Sequence, residues 1–232
     1  MIDWHTHVLP EMDDGSHSVE ESIRMLQTSG AQGVSYVIAT PHFLANEESV
    51  DAFLQRRHAS YASLQALADP TLPRVLCGAE VKYYPGISKL EELGRLTVEG
   101  TSILLLEMPM VKWTEYTVKE LIELAGTRGL TVVLAHIERY WALQDKKTFT
   151  RLRENGLLMQ VNASFFDRFG CRRRAFSLLQ SGLIQFIGSD CHNMTSRAPH
   201  LACAYERIAK KLGEDFASQM IEYSHNALGH NL

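Results

Sequence analysis

Histidines and carboxylates recur along this 232-residue chain at spacings that suit divalent cations. In His5-Thr6-His7 both imidazoles fall on one face of an extended segment, because side chains alternate along a strand. Asp190-Cys191-His192 repeats the spacing with a carboxylate first, which turns Cys191 to the opposite face as a packing residue. Between these pairs stand Asp14, His42, Glu80, Glu107 and His136, each at or just past the end of a short apolar run. Asp13, beside Asp14, is the alternative donor at that point. Imidazole and carboxylate donors without thiolate suit manganese, iron or zinc, whereas calcium takes oxygen alone. Gathered in one basin, such groups repel one another unless cations balance them.

Gathering them requires elements that end on a common face. Short runs rich in β-branched residues predict strands over 2–7, 34–42, 74–82, 103–108, 131–138, 158–163 and 184–192. Ile103-Leu104-Leu105-Leu106 is apolar without alternation, as in a strand buried on both faces of a parallel sheet. Helix patterns separate the runs. Ser18-Val19-Glu20-Glu21 reads as a capping box, and Val118, Leu121, Ile122 and Ala125 form one apolar face. Leu201, Tyr205, Ile208 and Leu212 form another. Strand and helix alternating about seven times predicts an α/β fold: a closed or nearly closed barrel of parallel strands, whose C-terminal strand ends meet at one mouth. A doubly wound open sheet is the alternative; it normally carries a Gly-rich loop after its first strand, where this chain has His5-Thr6-His7.

The remaining composition narrows the function. A net charge of −4 gives no general attraction to nucleic acid or to an anionic membrane, so neither is an expected partner. No apolar run reaches the roughly 20 residues of a membrane span. Without a signal-like N-terminus or paired cysteines, the expected location is the cytoplasm, with thiols reduced. No linker divides the chain, so residues 1–232 are expected to form one domain. His17, His58, His200, His225 and His230 lie outside the strand ends and read as solvated surface residues.

The sequence resembles the PHP superfamily, named for polymerase and histidinol phosphatase. Within it, the chain is similar to the bacterial metal-dependent protein-tyrosine phosphatases that regulate capsule and exopolysaccharide synthesis. The resemblance rests on Asp3-Trp4-His5-Thr6-His7-Val8-Leu9-Pro10 with Asp13-Asp14-Gly15, on Thr40-Pro41-His42, Gly78-Ala79-Glu80 and Leu106-Glu107-Met108-Pro109, and on His136-Ile137-Glu138-Arg139-Tyr140 and Ser189-Asp190-Cys191-His192-Asn193. It implies a distorted (β/α)7 barrel with two or three metal ions, usually manganese. His5, His7, Asp14, His42, Glu80, Glu107, His136, Asp190 and His192 would be ligands, and Arg139 and Arg197 would hold the substrate phosphate. It also implies a tyrosine-phosphorylated protein as partner, namely a bacterial tyrosine autokinase. The chain departs from the family pattern at Ile137 and Ala198, where proline is usual, and at Glu11, where glycine is usual.

The implied chemistry is hydrolysis of a phosphate monoester by a metal-bound hydroxide, since water held by cations falls from a pKa of about 15.7 to about 7. A cysteine nucleophile is not expected, because Cys171 has Ser177, not arginine, six residues on. Asn162, at the end of the sixth run, reads either as an orienting residue or as a loop tie. Tyr83, Tyr84 and Trp113 are candidates to frame an aromatic ring, and Arg172-Arg173-Arg174 either steers an acidic partner or starts a solvated helix. Two rival functions are a phosphatase for a small ester such as histidinol phosphate and a metal-binding regulatory module without turnover.

Overall fold

Seven apolar runs become seven strand positions, two of them broken in the middle. The computed structural model describes residues 1–127, 129–167 and 169–229; His230 lies outside the described residues. The strands are β1 (Ile2–Thr6), β2 (Tyr36–Ala39), β3 (His42–Phe43), β4 (Arg74–Cys77), β5 (Glu80–Lys82), β6 (Ile103–Glu107), β7 (Thr131–Leu134), β8 (Leu158–Asn162) and β9 (Phe186–Gly188). Every pairing among them is parallel, in the orders β1-β2-β4 and β3-β5-β6-β7-β8-β9. The second predicted strand breaks at Pro41, which has no N–H for a ladder. Its neighbour breaks in step: Gly78 N–H donates to Ala39 at 2.8 Å and Glu80 N–H to Pro41 at 3.0 Å.

The sheet curls until its first and last strands meet. Thr6 bridges Cys191 in parallel, His7 N–H donates to Cys191 O at 2.9 Å, and Asp190 N–H donates to His5 O at 2.8 Å. This is the distorted parallel barrel that the sequence predicts. Gly188 permits the approach, because a Cβ there would stand 2.5 Å from His5 Cβ. Inside, Ile2, Trp4, Ile38, Leu76, Leu105, Val133 and Phe186 form an apolar plug. A register irregularity between Asp3 and Thr6 lets Trp4 join that plug while His5 and His7 turn to the mouth.

Helices α1 (Val19–Ala31), α2 (Val50–Gln65), α3 (Glu115–Thr127), α4 (Lys146–Glu154), α5 (Arg172–Gln180), α6 (Leu201–Leu212) and α7 (Glu214–Leu228) complete the framework. Ser18 caps α1 by accepting from Glu21 N–H, while the Glu21 carboxylate reaches back one residue farther than a capping box requires, to His17 N–H. One expected helix is missing. Between β5 and β6 the chain forms only 3-10 turns, Ile87–Lys89 and Glu91–Leu96, because Pro85-Gly86 and Gly94 interrupt the helix formers. Among the described residues, no helix is long and apolar enough to cross a membrane.

Two strands end earlier than the sequence predicts. The regular strands end at Leu134 and at Gly188, and His136 and Asp190 follow in the left-handed region at φ 33° and 53°. Such conformations are disfavoured for residues bearing a Cβ and tend to mark sites where side-chain placement outweighs local strain.

Candidate metal centre

All nine candidate ligands converge on the barrel mouth. Glu80, at the start of β5, is the hub. Its Oε2 lies 3.2 Å from His5 Nε2, 3.4 Å from His7 Nε2 and 3.0 Å from His42 Nδ1, and its Oε1 lies 2.9 Å from His136 Nε2. Glu107 approaches His136 Nε2 at 3.7 Å. From across the seam, Asp190 Oδ1 stands 3.6 Å from both His5 and His7 Nε2. Asp14 meets His42 at 3.5 Å and His192 at 3.4 Å. Their donor atoms fall into overlapping groups compatible with cations: His7, Asp14, His42 and His192; His5, His7 and Asp190; His5, Glu80 and His136; His42, Glu80 and Glu107.

The outward edges of the rings are tied, which aims the inner nitrogens. His7 Nδ1 meets Asp13 Oδ2 at 2.7 Å, His136 Nδ1 meets the Tyr140 hydroxyl at 3.2 Å, and His192 Nδ1 meets Asp190 O at 3.0 Å. His5 Nδ1 lies 3.4 Å from Gln160 Oε1, which also accepts from His136 N–H at 2.6 Å. As a result His5 and His7 present their Nε2 atoms to each other at 3.2 Å. Imidazoles fixed at one nitrogen and convergent at the other have the geometry of metal ligands with outer-shell support.

The structure separates the two adjacent aspartates. Asp13 is the inner one: besides His7, it accepts from His42 N–H at 2.8 Å and Gly15 N–H at 2.9 Å. Asp14 is 67% exposed and faces His42 and His192. Gly15 makes this turn possible, since a Cβ there would sit 2.3 Å from His7 O.

Electrostatics follow this crowding. Burial alone would lower His7, but hydrogen bonds to Asp13 and Glu80, with their charges, carry it up to about 10. His5 is raised too, with Glu80 and Asp190 overcoming burial. Burial and the nearby His7 charge push His192 down to about 4, and burial lowers His136. Burial works against the charges of Glu80, Asp13 and Asp190, yet the imidazoles hold all three below the ordinary carboxylate range. Beneath the centre, burial raises Asp3 to about 6; its Oδ1 accepts from Ser189 N–H at 2.7 Å.

Arg139 and Arg197 flank the mouth, each 37% exposed. Arg139 pairs with Asp190 Oδ2 and Arg197 with Oδ1 at 2.7 Å, while Asn162 Nδ2 donates to Oδ2 at 2.7 Å. Asn162 therefore stands at the mouth, against the Asp190 carboxylate. Sequence reading gave Gln160 and Tyr140 no role of their own, although Tyr140 closes the motif that begins at His136 and Gln160 shares a strand face with Asn162. Tyr83 and Trp113 are not at the mouth. The Tyr83 hydroxyl donates to Glu120 at 2.6 Å, and Trp113 packs with Tyr140 and Phe149. His17 and His58 are exposed as expected, whereas His200 and His225 are half-buried, turned to Ala198 O and the Tyr36 ring.

Comparison with known proteins agrees with this geometry. The chain is 33% identical to tyrosine-protein phosphatase CpsB of Streptococcus pneumoniae over a 237-residue alignment, covering 95% of this chain and 94% of that one. It is 29% identical to tyrosine-protein phosphatase YwqE of Bacillus subtilis, covering 96% and 89%. A solved structure among those of YwqE and CpsB, described as metal-dependent tyrosine phosphatases, superposes with a TM-score of 0.79 at 25% identity, covering 98% and 94%. The model of the capsular polysaccharide synthesis family CpsB/CapC matches residues 1–228, and the chain belongs to that family.

Proposed function

We propose that this chain is a metal-dependent phosphatase that removes phosphate from tyrosine in a protein, a tyrosine autokinase of capsule or exopolysaccharide synthesis, in the cytoplasm. The observation that carries the reading is Glu80, whose two oxygens face His5, His7, His42 and His136 in a mouth flanked by Arg139 and Arg197. The donor set fits divalent cations, manganese first and iron or zinc next, with two or three per chain. The overlapping groups above would hold them: His7, Asp14, His42 and His192 one, His5, His7 and Asp190 another, and Glu80 with His5 and His136 or with His42 and Glu107 a third, all within a single barrel domain. When bound, such ions neutralise phosphate oxygens and supply an acidified water.

The chain's own groups do the rest. Asp13, Gln160 and Tyr140 fix the ring orientations, and Asn162 fixes the Asp190 carboxylate. Arg139 and Arg197 bind the phosphate through charge-assisted hydrogen bonds, exchanging Asp190 for the substrate. The phenolate of tyrosine, with a pKa near 10, leaves without requiring a strong general acid.

The test is phosphate release from a phosphotyrosine peptide and from histidinol phosphate by chelator-treated protein, with and without added manganese. The expected result is manganese-dependent turnover of the peptide at least tenfold above that of the small ester. Faster turnover of histidinol phosphate would transfer the site to small substrates. No turnover of either with any divalent metal would end the enzymatic reading.

A further inference from the structure

The start of α5 is built against its own stability. Its first turn carries Arg172, Arg173 and Arg174 and no acidic residue, and Cys171 at the N-cap makes no side-chain capping bond. Cations at a helix N-terminus oppose the helix dipole, whereas anions there are favoured. Arg172 is occupied with the carbonyls of Phe166 and Asp167. Arg173 and Arg174 are exposed and, among the described residues, have no ion-pair partner. The nearby Asp167 carboxylate is taken by Arg207 at 2.6 Å.

This helix end opens onto the proposed catalytic mouth. Arg174 and Cys171 line a cavity of about 100 Å³ together with Glu138, Arg139, Asn162 and Ser164. One buried atom there is unsatisfied. Glu138 Oε1 accepts from Asn162 N–H at 3.2 Å, but its Oε2 has no hydrogen-bond partner. A buried carboxylate oxygen without a donor is costly unless something else supplies one.

We propose that this cavity and the adjoining arginines form a subsite for an acidic residue flanking the phosphotyrosine in a protein substrate. Arg173 and Arg174 take a carboxylate side chain, while Arg139 holds the phosphate next door. The inference rests on the phosphatase reading above and narrows its substrate to acidic phosphotyrosine segments.

The experiment measures kcat/KM of manganese-loaded enzyme on three phosphotyrosine peptides of equal length with acidic, neutral or basic flanks. The wild type is expected to prefer the acidic peptide to the neutral one about tenfold, the preference shrinking as salt screens it. The double variant Arg173→Glu, Arg174→Glu should bring that ratio to one or below, and Arg173→Lys, Arg174→Lys should retain most of it. Equal rates on all three peptides in the wild type, or an acidic preference that survives charge reversal, would overturn the subsite. If the charge-reversed protein does not fold, the salt dependence of the wild-type ratio decides: a preference unchanged between low and high salt also overturns it. Failure of the wild type on every peptide and on p-nitrophenyl phosphate would instead remove the phosphatase reading itself.

Discussion

Asp13 holds the Nδ1 edge of His7 at 2.7 Å, and the same carboxylate oxygen receives the His42 N–H at 2.8 Å. One side chain thereby sets the orientation of a ring just past β1 and the position of another on β3. Replacing Asp13 with Ala is expected to weaken divalent cation binding by about 10- to 100-fold, the usual cost of losing outer-shell support. Competition against a chromophoric chelator measures it. Unaltered affinity would mean that His7 is positioned by other contacts.

Cation loading should release protons. In the cation-free fold His7 is raised to about 10 and is therefore protonated at neutral pH, whereas a ligand imidazole must be neutral. Affinity for manganese should thus rise from pH 6 to pH 8, and titration calorimetry in buffers of different ionisation enthalpy should detect the released protons. Stability of the cation-free protein has the opposite dependence over the same range. The His7 contribution is complete below about pH 6.5 and disappears as pH climbs through about 10. The depressed carboxylates Glu80, Asp13 and Asp190 contribute above about pH 4.5 and lose that contribution in acid.

Arg139 and Arg197 each pair with one oxygen of Asp190. Changing either to Ala should lower kcat/KM on a phosphotyrosine peptide by about 10²- to 10³-fold, the scale of losing a fixed donor to developing charge. Arg139→Lys should recover only part, because an ammonium cannot reproduce the planar fork. Wild-type kinetics for both alanine variants would remove the arginines from substrate binding.

Glu11 occupies a left-handed position at φ 57°, a conformation that favours glycine. Relief of that conformation competes with the greater unfolded-state freedom of glycine, so Glu11→Gly should raise stability by at most about 1 kcal/mol. Glu11→Val should lower it by about 1–2 kcal/mol, since a β-branched residue tolerates this region least. Denaturant unfolding of the three proteins is the check, and a stabilising Val would refute the conformational account.

Much of this molecule is legible in its sequence, for definite reasons. Runs such as Ile103-Leu104-Leu105-Leu106 announce a parallel sheet because only a strand covered on both faces is apolar without alternation. Once the strands are parallel, residues at their C-terminal ends must share a mouth, so His5, Glu80 and Asp190 could be grouped without coordinates. The choice between Asp13 and Asp14 rests on the turn that Gly15 permits, and the sequence left both open. The missing helix between β5 and β6 is equally obscure: Glu91-Glu92-Leu93 suits a helix locally, and the short span between Gly86 and Gly94 decides otherwise. Gln160 escaped because an uncharged amide on a strand carries no chemical signature until its neighbours are known.

The barrel closes at a narrow seam, the Thr6–Cys191 bridge and the two hydrogen bonds beside it. His5 and His7 stand on one lip of that seam, Asp190 and His192 on the other, so an ion held between them, as proposed above, would rivet the beginning of the chain to a segment nearly 190 residues away. Chelation should therefore loosen this place before any other. In hydrogen exchange, the amides of His7 and Asp190 should lose protection on cation removal while those of β6 and β7 keep theirs; uniform loss across the sheet would show that the rivet carries no special burden.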